Sequence, residues 1–74
     1  MQVSKHVIDV ISQQLNIDQN QVTLSSSLEL LENWDSLNAL RIMSHLEKKT
    51  GIHIALHQFL GTKTVSDIVV MLGG

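Results

Sequence analysis

Asp35-Ser36-Leu37-Asn38-Ala39-Leu40-Arg41-Ile42-Met43-Ser44-His45-Leu46-Glu47-Lys48-Lys49-Thr50-Gly51 is the stretch on which the fold turns. It opens on an aspartate, whose carboxylate suits the capping of a first helical turn, and closes on a glycine, which suits a helix stop. Between them Ala39, Ile42, Met43, Leu46 and Thr50 recur at three-to-four spacing and fall within roughly 60° of one direction. The pattern predicts a helix over 36–50 with one core-facing stripe. Leu37 and Leu40 do not belong to that stripe, pointing roughly 160° and 100° away from it. They share their side with Arg41, Ser44 and Lys48, which makes a small apolar spot in a polar, locally positive face. A partner surface is one reading; the others are that the loop over 16–34 covers Leu37, or that these are two scattered exposed apolar residues of the kind usual on protein surfaces.

Working outward, Val3, Val7, Val10, Ile11 and Leu15 form a second helical stripe, with Lys5, Asp9, Ser12 and Gln13 off it, and predict a helix over 3–15. From Asn16 to Ser27 the pattern dissolves into polar residues punctuated by Ile17, Val22 and Leu24, a long loop tacked to the core at those points. Leu28, Leu30 and Leu31 suit a helical turn before Asn33, a residue that tolerates the left-handed conformation. Beyond Gly51, Leu56 to Leu60 is long enough only for a short helix, ended by Gly61. Thr64-Val65-Ser66-Asp67 resembles a capping box with Asp in place of Glu, and Val65, Ile68, Val69 and Leu72 then predict a helix over 65–72. The fold class is therefore all-α: a small four-helix bundle of three longer helices and one short one, with a long loop after the first.

A chain of 74 residues suits one domain, 1–74, with its core over about 3–72. Its apolar fraction of 43% is that of a soluble globular protein, and a formal charge of −2 argues against a nucleic-acid partner. There is no cysteine, hence no disulfide, thiolate metal site or thiol nucleophile of its own. The first residues interrupt their apolar positions with Asp9, Ser12 and Gln13, which fits neither a signal core nor a membrane span, so the expectation is a cytoplasmic monomer.

Ser36 falls at the first helical position behind an Asp cap. A helix N-terminus presents unsatisfied N–H groups and positive potential, which stabilise an anion such as a phosphodiester on that hydroxyl. Other signals carry less. Trp34, the single Trp, suits packing, with flanking of a group carried on Ser36 or contact with a partner as the alternatives. His53 and His57 lack a third metal ligand, and His6 and His45 fall on polar faces. Gly61-Thr62-Lys63-Thr64 lacks the rest of a phosphate-binding loop. Gly73-Gly74 echoes the ending of β-rich sulfur carriers, against which the helical stripes speak, so a helix stop is its expected meaning. No serine–histidine–aspartate or paired-carboxylate arrangement can be assembled, and no enzymatic activity is expected.

Asp35-Ser36-Leu37, within Trp34 to Ile42, together with Leu46 to Ile52 and Thr64 to Ile68, resembles the carrier proteins of fatty-acid, polyketide and nonribosomal-peptide synthesis over residues 3 to 72. The resemblance implies that Ser36, flanked by Asp35 and Leu37, takes a 4′-phosphopantetheine group from coenzyme A through a phosphopantetheinyl transferase. The arm's thiol would carry an acyl or aminoacyl group as a thioester. Leu37, Leu40 and Arg41 would meet the loading and processing enzymes. Two departures bear on the pathway. Fatty-acid carriers usually have an acidic second helix, whereas this one has Arg41, Lys48 and Lys49 against Glu47. The Gly-Gly usual before the serine of peptidyl carriers is replaced by Glu32-Asn33-Trp34. A stand-alone acyl carrier of a secondary-metabolite pathway is the expectation. A peptidyl carrier loaded by an adenylating enzyme and an unmodified carrier-like adaptor are the alternatives.

Overall fold

In the computed structural model, which describes residues 2–74, four α-helices run in the expected order: α1 Val3–Leu15, α2 Ser36–Thr50, α3 Leu56–Leu60 and α4 Val65–Met71. Helix α1 packs on α2 and α4, and α3 closes against α2. The stripes read from sequence meet in one core, with Val7, Ile11, Leu15, Ile42, Leu46, Val65 and Ile68 buried. Leu28 and Phe59 join them from the loop and from the short helix. A five-residue helix cannot persist on its own propensity, so α3 is held in place by the burial of Phe59.

The termini follow local chemistry. Helix α1 ends at Asn16 and α2 at Gly51, both in the left-handed region, and the Gly51 N–H donates to the Glu47 carbonyl at 2.8 Å. The α4 capping box forms as the sequence suggests: Thr64 Oγ1 accepts the Asp67 N–H at 3.2 Å, and Asp67 returns the contact to the Thr64 N–H at 3.1 Å. Helix α4 stops one residue earlier than expected, Leu72 serving as its C-cap. Gly73 follows with φ of +86°, and its N–H donates to the Val70 carbonyl, the helix-stop geometry expected of this glycine.

Three features depart from the stripe reading. Ser12 is buried, its hydroxyl donating to the Asp9 carbonyl of the preceding turn at 3.0 Å, which satisfies it inside the core. His6 is half-buried, with Nδ1 sealed from solvent and without a protein partner among the described residues. The first loop is also more ordered than its composition suggests. Besides the helical turn expected of Leu28, which forms as a 3-10 turn over Leu28–Leu30, it contains an unexpected 3-10 turn at Gln19–Gln21, capped by Asp18. It is laced to the start of α4 by Leu28 N–H to Lys63 O (2.9 Å), Val65 N–H to Ser26 O (3.2 Å) and Ser66 N–H to Leu24 O (2.9 Å). An isolated antiparallel bridge joins Ser27 to Thr64, and the described residues form no strand.

The capping box makes the last helix sensitive to acid. Asp67 Oδ2 accepts the backbone N–H groups of Lys63 and Thr64, at 3.0 and 3.1 Å, and these hold its carboxyl below the ordinary 3.8. A lowered folded-state value means that the contribution is complete above the unfolded-chain value and is lost as pH falls through the folded-state one. Asp67→Asn should therefore unfold at lower urea than the parent at pH 7, and the gap should close as pH drops below about 4. Urea titrations followed by circular dichroism at both pH values check this; a gap that is constant with pH would contradict it.

Candidate functional site

The tip of α2 is built by two asparagines. Asn33 adopts the left-handed conformation, φ +68°, that reverses the chain, as its residue type suggests. Its amide also reaches back across the fold, Nδ2 donating to the Leu15 carbonyl at the end of α1 at 2.9 Å. Asn38, one turn into α2, donates from Nδ2 to the Asn33 carbonyl at 2.9 Å. Between them Asp35 caps the helix, Oδ1 accepting the Asn38 N–H at 2.7 Å. The cap was legible in sequence. The asparagine clamp was not, because its partners lie 18 and 5 residues away and leave no periodic trace.

Ser36 stands at the first position of this fixed tip and is exposed. Its hydroxyl has no protein hydrogen-bond partner among the described residues. The first four N–H groups of a helix lack intrahelical acceptors. Here Asn38 N–H is taken by Asp35 Oδ1 and Ala39 N–H by the Asp35 carbonyl at 2.8 Å, while those of Ser36 and Leu37 have no protein acceptor among the described residues. A free hydroxyl thus sits beside two free N–H groups at the positive end of a 15-residue helix dipole. That arrangement fits a phosphodiester joined at Ser36 Oγ, whose oxygens would receive those N–H groups.

A cavity of about 220 Å³ opens beside the hydroxyl, walled by Leu28, Glu29, Trp34, Ala39, Phe59 and Leu60. Trp34 is partly buried against the core, as its expected packing role requires, and it also lines this cavity. Glu29, Phe59 and Leu60 were not singled out by sequence reasoning; only the folding of the loop and α3 onto α2 brings them here. A larger groove of about 310 Å³ between α1 and α2 is walled by Val10, Gln13, Gln14, His45 and Lys49, and contains no hydroxyl or thiol.

On the outer face, Leu37 is 57% and Leu40 40% exposed, so the loop does not cover them. Arg41, Ser44 and Lys48 are exposed beside them. His53 Nδ1 lies 3.1 Å from Glu47 Oε2. No group of three potential metal-binding side chains occurs among the described residues, and none of their helices is long and apolar enough to cross a membrane.

Residues 5–72 match the family model described as the phosphopantetheine attachment site. The chain is 32% identical over 72 residues to an acyl carrier protein of Azobacteroides pseudotrichonymphae, covering 96% of this chain and 85% of the relative. It is likewise 32% identical over 68 residues to an acyl carrier protein of Porphyromonas gingivalis, covering 92% of this chain and 87% of that one.

Proposed function

The chain belongs to the phosphopantetheine-attachment family of acyl carrier proteins, carriers rather than catalysts that hold a covalent 4′-phosphopantetheine, and from that premise we propose that Ser36 is the attachment residue. The single observation that supports it most is the exposed, unpartnered hydroxyl beside the free N–H groups of Ser36 and Leu37. When attached, the arm supplies the thiol that this cysteine-free chain lacks and holds the acyl group on it as a thioester. The protein's own residues do the rest. Asp35 fixes the first turn, Asn33 and Asn38 fix where that turn sits, and the helix end steadies the phosphate charge. Leu37, Leu40 and Arg41 offer a surface to a phosphopantetheinyl transferase and to acyl-processing enzymes.

The pathway we assign is of the polyketide or nonribosomal-peptide type, with the chain acting as one domain in the cytoplasm. What supports this is the cation-rich α2, with Arg41, Lys48 and Lys49 against Glu47 alone, which is poorly matched to enzymes with basic docking patches.

The attachment reading is tested by incubating the unmodified protein with coenzyme A, magnesium and a broad-specificity phosphopantetheinyl transferase. The intact mass should rise by one arm, and fragmentation should place it on Ser36. An unchanged mass, or an arm on another residue, would overturn the assignment.

A further inference from the structure

Resting on that carrier reading, we propose that the enzymes docking on α2 present a carboxylate-bearing surface around an apolar socket, opposite in sign to Arg41 and Lys48. Leu37, Arg41, Ser44 and Lys48 follow one another at spacings of four, three and four, so they form a single line down the outer face of the helix, with Leu40 beside it. All are exposed.

The charges on this line are unanswered within the protein. Among the described residues, neither Arg41, Lys48 nor Lys49 has an ion-pair partner. Glu47, the one carboxylate of α2, is engaged elsewhere: Oε2 accepts the Ile54 N–H at 2.8 Å and lies 3.1 Å from His53 Nδ1. Outside α2 the balance reverses, with Lys5 and Lys63 set against six carboxylates. A net-negative chain has therefore concentrated three of its five lysines and arginines on one helix.

Lys48 and Lys49 lie in the last turn, where cations also steady the helix dipole. Arg41 lies mid-helix, where the dipole offers it nothing, and it neighbours both exposed leucines. It is the residue that points to a partner.

The sign also changes along the helix. Asp35 and Glu29 stand with Ser36 at the cavity, whereas the cations begin one turn further on. At 1.5 Å per residue, Arg41 and Lys48 lie about 7.5 and 18 Å along the axis from Ser36. A matching enzyme carries its carboxylates at those distances from the mouth of its arm-binding tunnel, so charge sets the direction in which the carrier lies as well as its attraction.

The test uses the protein bearing an arm that ends in an α-bromoamide. Its probes are two condensing enzymes with an active-site cysteine, one with an acidic and one with a basic surface around the tunnel. The cysteine thiolate displaces bromide and forms a thioether, so productive docking is read as a cross-linking rate. The parent chain should cross-link about tenfold faster to the acidic enzyme at low salt, and the preference should fade as ionic strength rises past about 0.3 M. Arg41→Glu should erase that preference and Arg41→Glu/Lys48→Glu should invert it, while the exposed Lys5→Glu on α1, an equal charge change, should leave it unaltered. Arg41→Glu lies outside the last turn, so it tests the surface without disturbing the helix end, and circular dichroism verifies each fold. Equal rates with both enzymes, a preference for the basic one, or an effect of Lys5→Glu as large as that of Arg41→Glu would overturn the proposal. Failure of the carrier reading is seen separately and earlier, as a chain that never gains the arm at Ser36.

Discussion

Ser36→Ala is expected to take up no arm at all while unfolding at the same urea concentration as the parent chain. The two halves of that result rest on different observations. The stability half follows because the hydroxyl makes no protein hydrogen bond among the described residues, the side chain is exposed, and alanine is the best helix former. Exposed substitutions of this kind fall within about 0.5 kcal/mol of neutral. The chemical half follows because, of the eight serines, only Ser36 is exposed in the first turn of an α-helix, Ser4 and Ser66 at the starts of α1 and α4 being half-buried. Ser12 is buried with its hydroxyl committed to the Asp9 carbonyl. Ser26 Oγ accepts the Thr23 N–H, and Ser25 shares the same hydroxyl cluster through Thr23. Ser44 is exposed on α2 but two turns in, where the N–H groups are already bonded within the helix. Intact-mass measurement after incubation with transferase and coenzyme A decides the matter. An arm on the variant would show that accessibility, and not the helix tip, selects the residue.

This contrast also explains what could be read before the fold was known. Helix bounds, caps and reversals were legible because each depends on residues within a turn or two of one another: Asp35 with Asn38, Thr64 with Asp67, Asn33 by its own backbone preference. That Leu37 and Leu40 lie off the core stripe was legible as an angle on a helical wheel, whereas their exposure was not, since it depends on where the loop runs. Contacts made across the fold were not. The lacing of 24–28 onto 63–66 joins backbone groups roughly 40 residues apart, and backbone hydrogen bonding leaves no residue-type signature. The Glu47 contact to Ile54 and His53 was missed for a related reason. Nothing in the spacing of His53 points to Glu47, because the chain turns at Gly51 and only that turn returns it to α2.

Phe59 shows how the site and its neighbouring cavity rest on different parts of the chain. It is 1% exposed, the largest wholly buried side chain, and it both anchors α3 and walls the cavity beside Ser36. Truncation to alanine in such a position costs about 3–5 kcal/mol. A domain of this size is stable by about 4–11 kcal/mol, so Phe59→Ala should lose much or all of its stability. With a urea slope near 1 kcal/mol/M, the midpoint should fall by about 3 M or more. Phe59→Leu keeps an apolar, branched side chain in the space and should fall by less. The tip of α2, by contrast, is held by Asp35, Asn33 and Asn38, none of which touches α3 through its hydrogen bonds. Under conditions where the leucine variant remains folded, it should therefore still accept the arm at the parent's rate. Its amides at Phe59, Gly61 and Thr62, which bond within α3 and its exit, should exchange faster than in the parent. Arm transfer that slows in step with α3 exchange would instead mean that the short helix helps to present the serine, and that attachment and cavity cannot be separated.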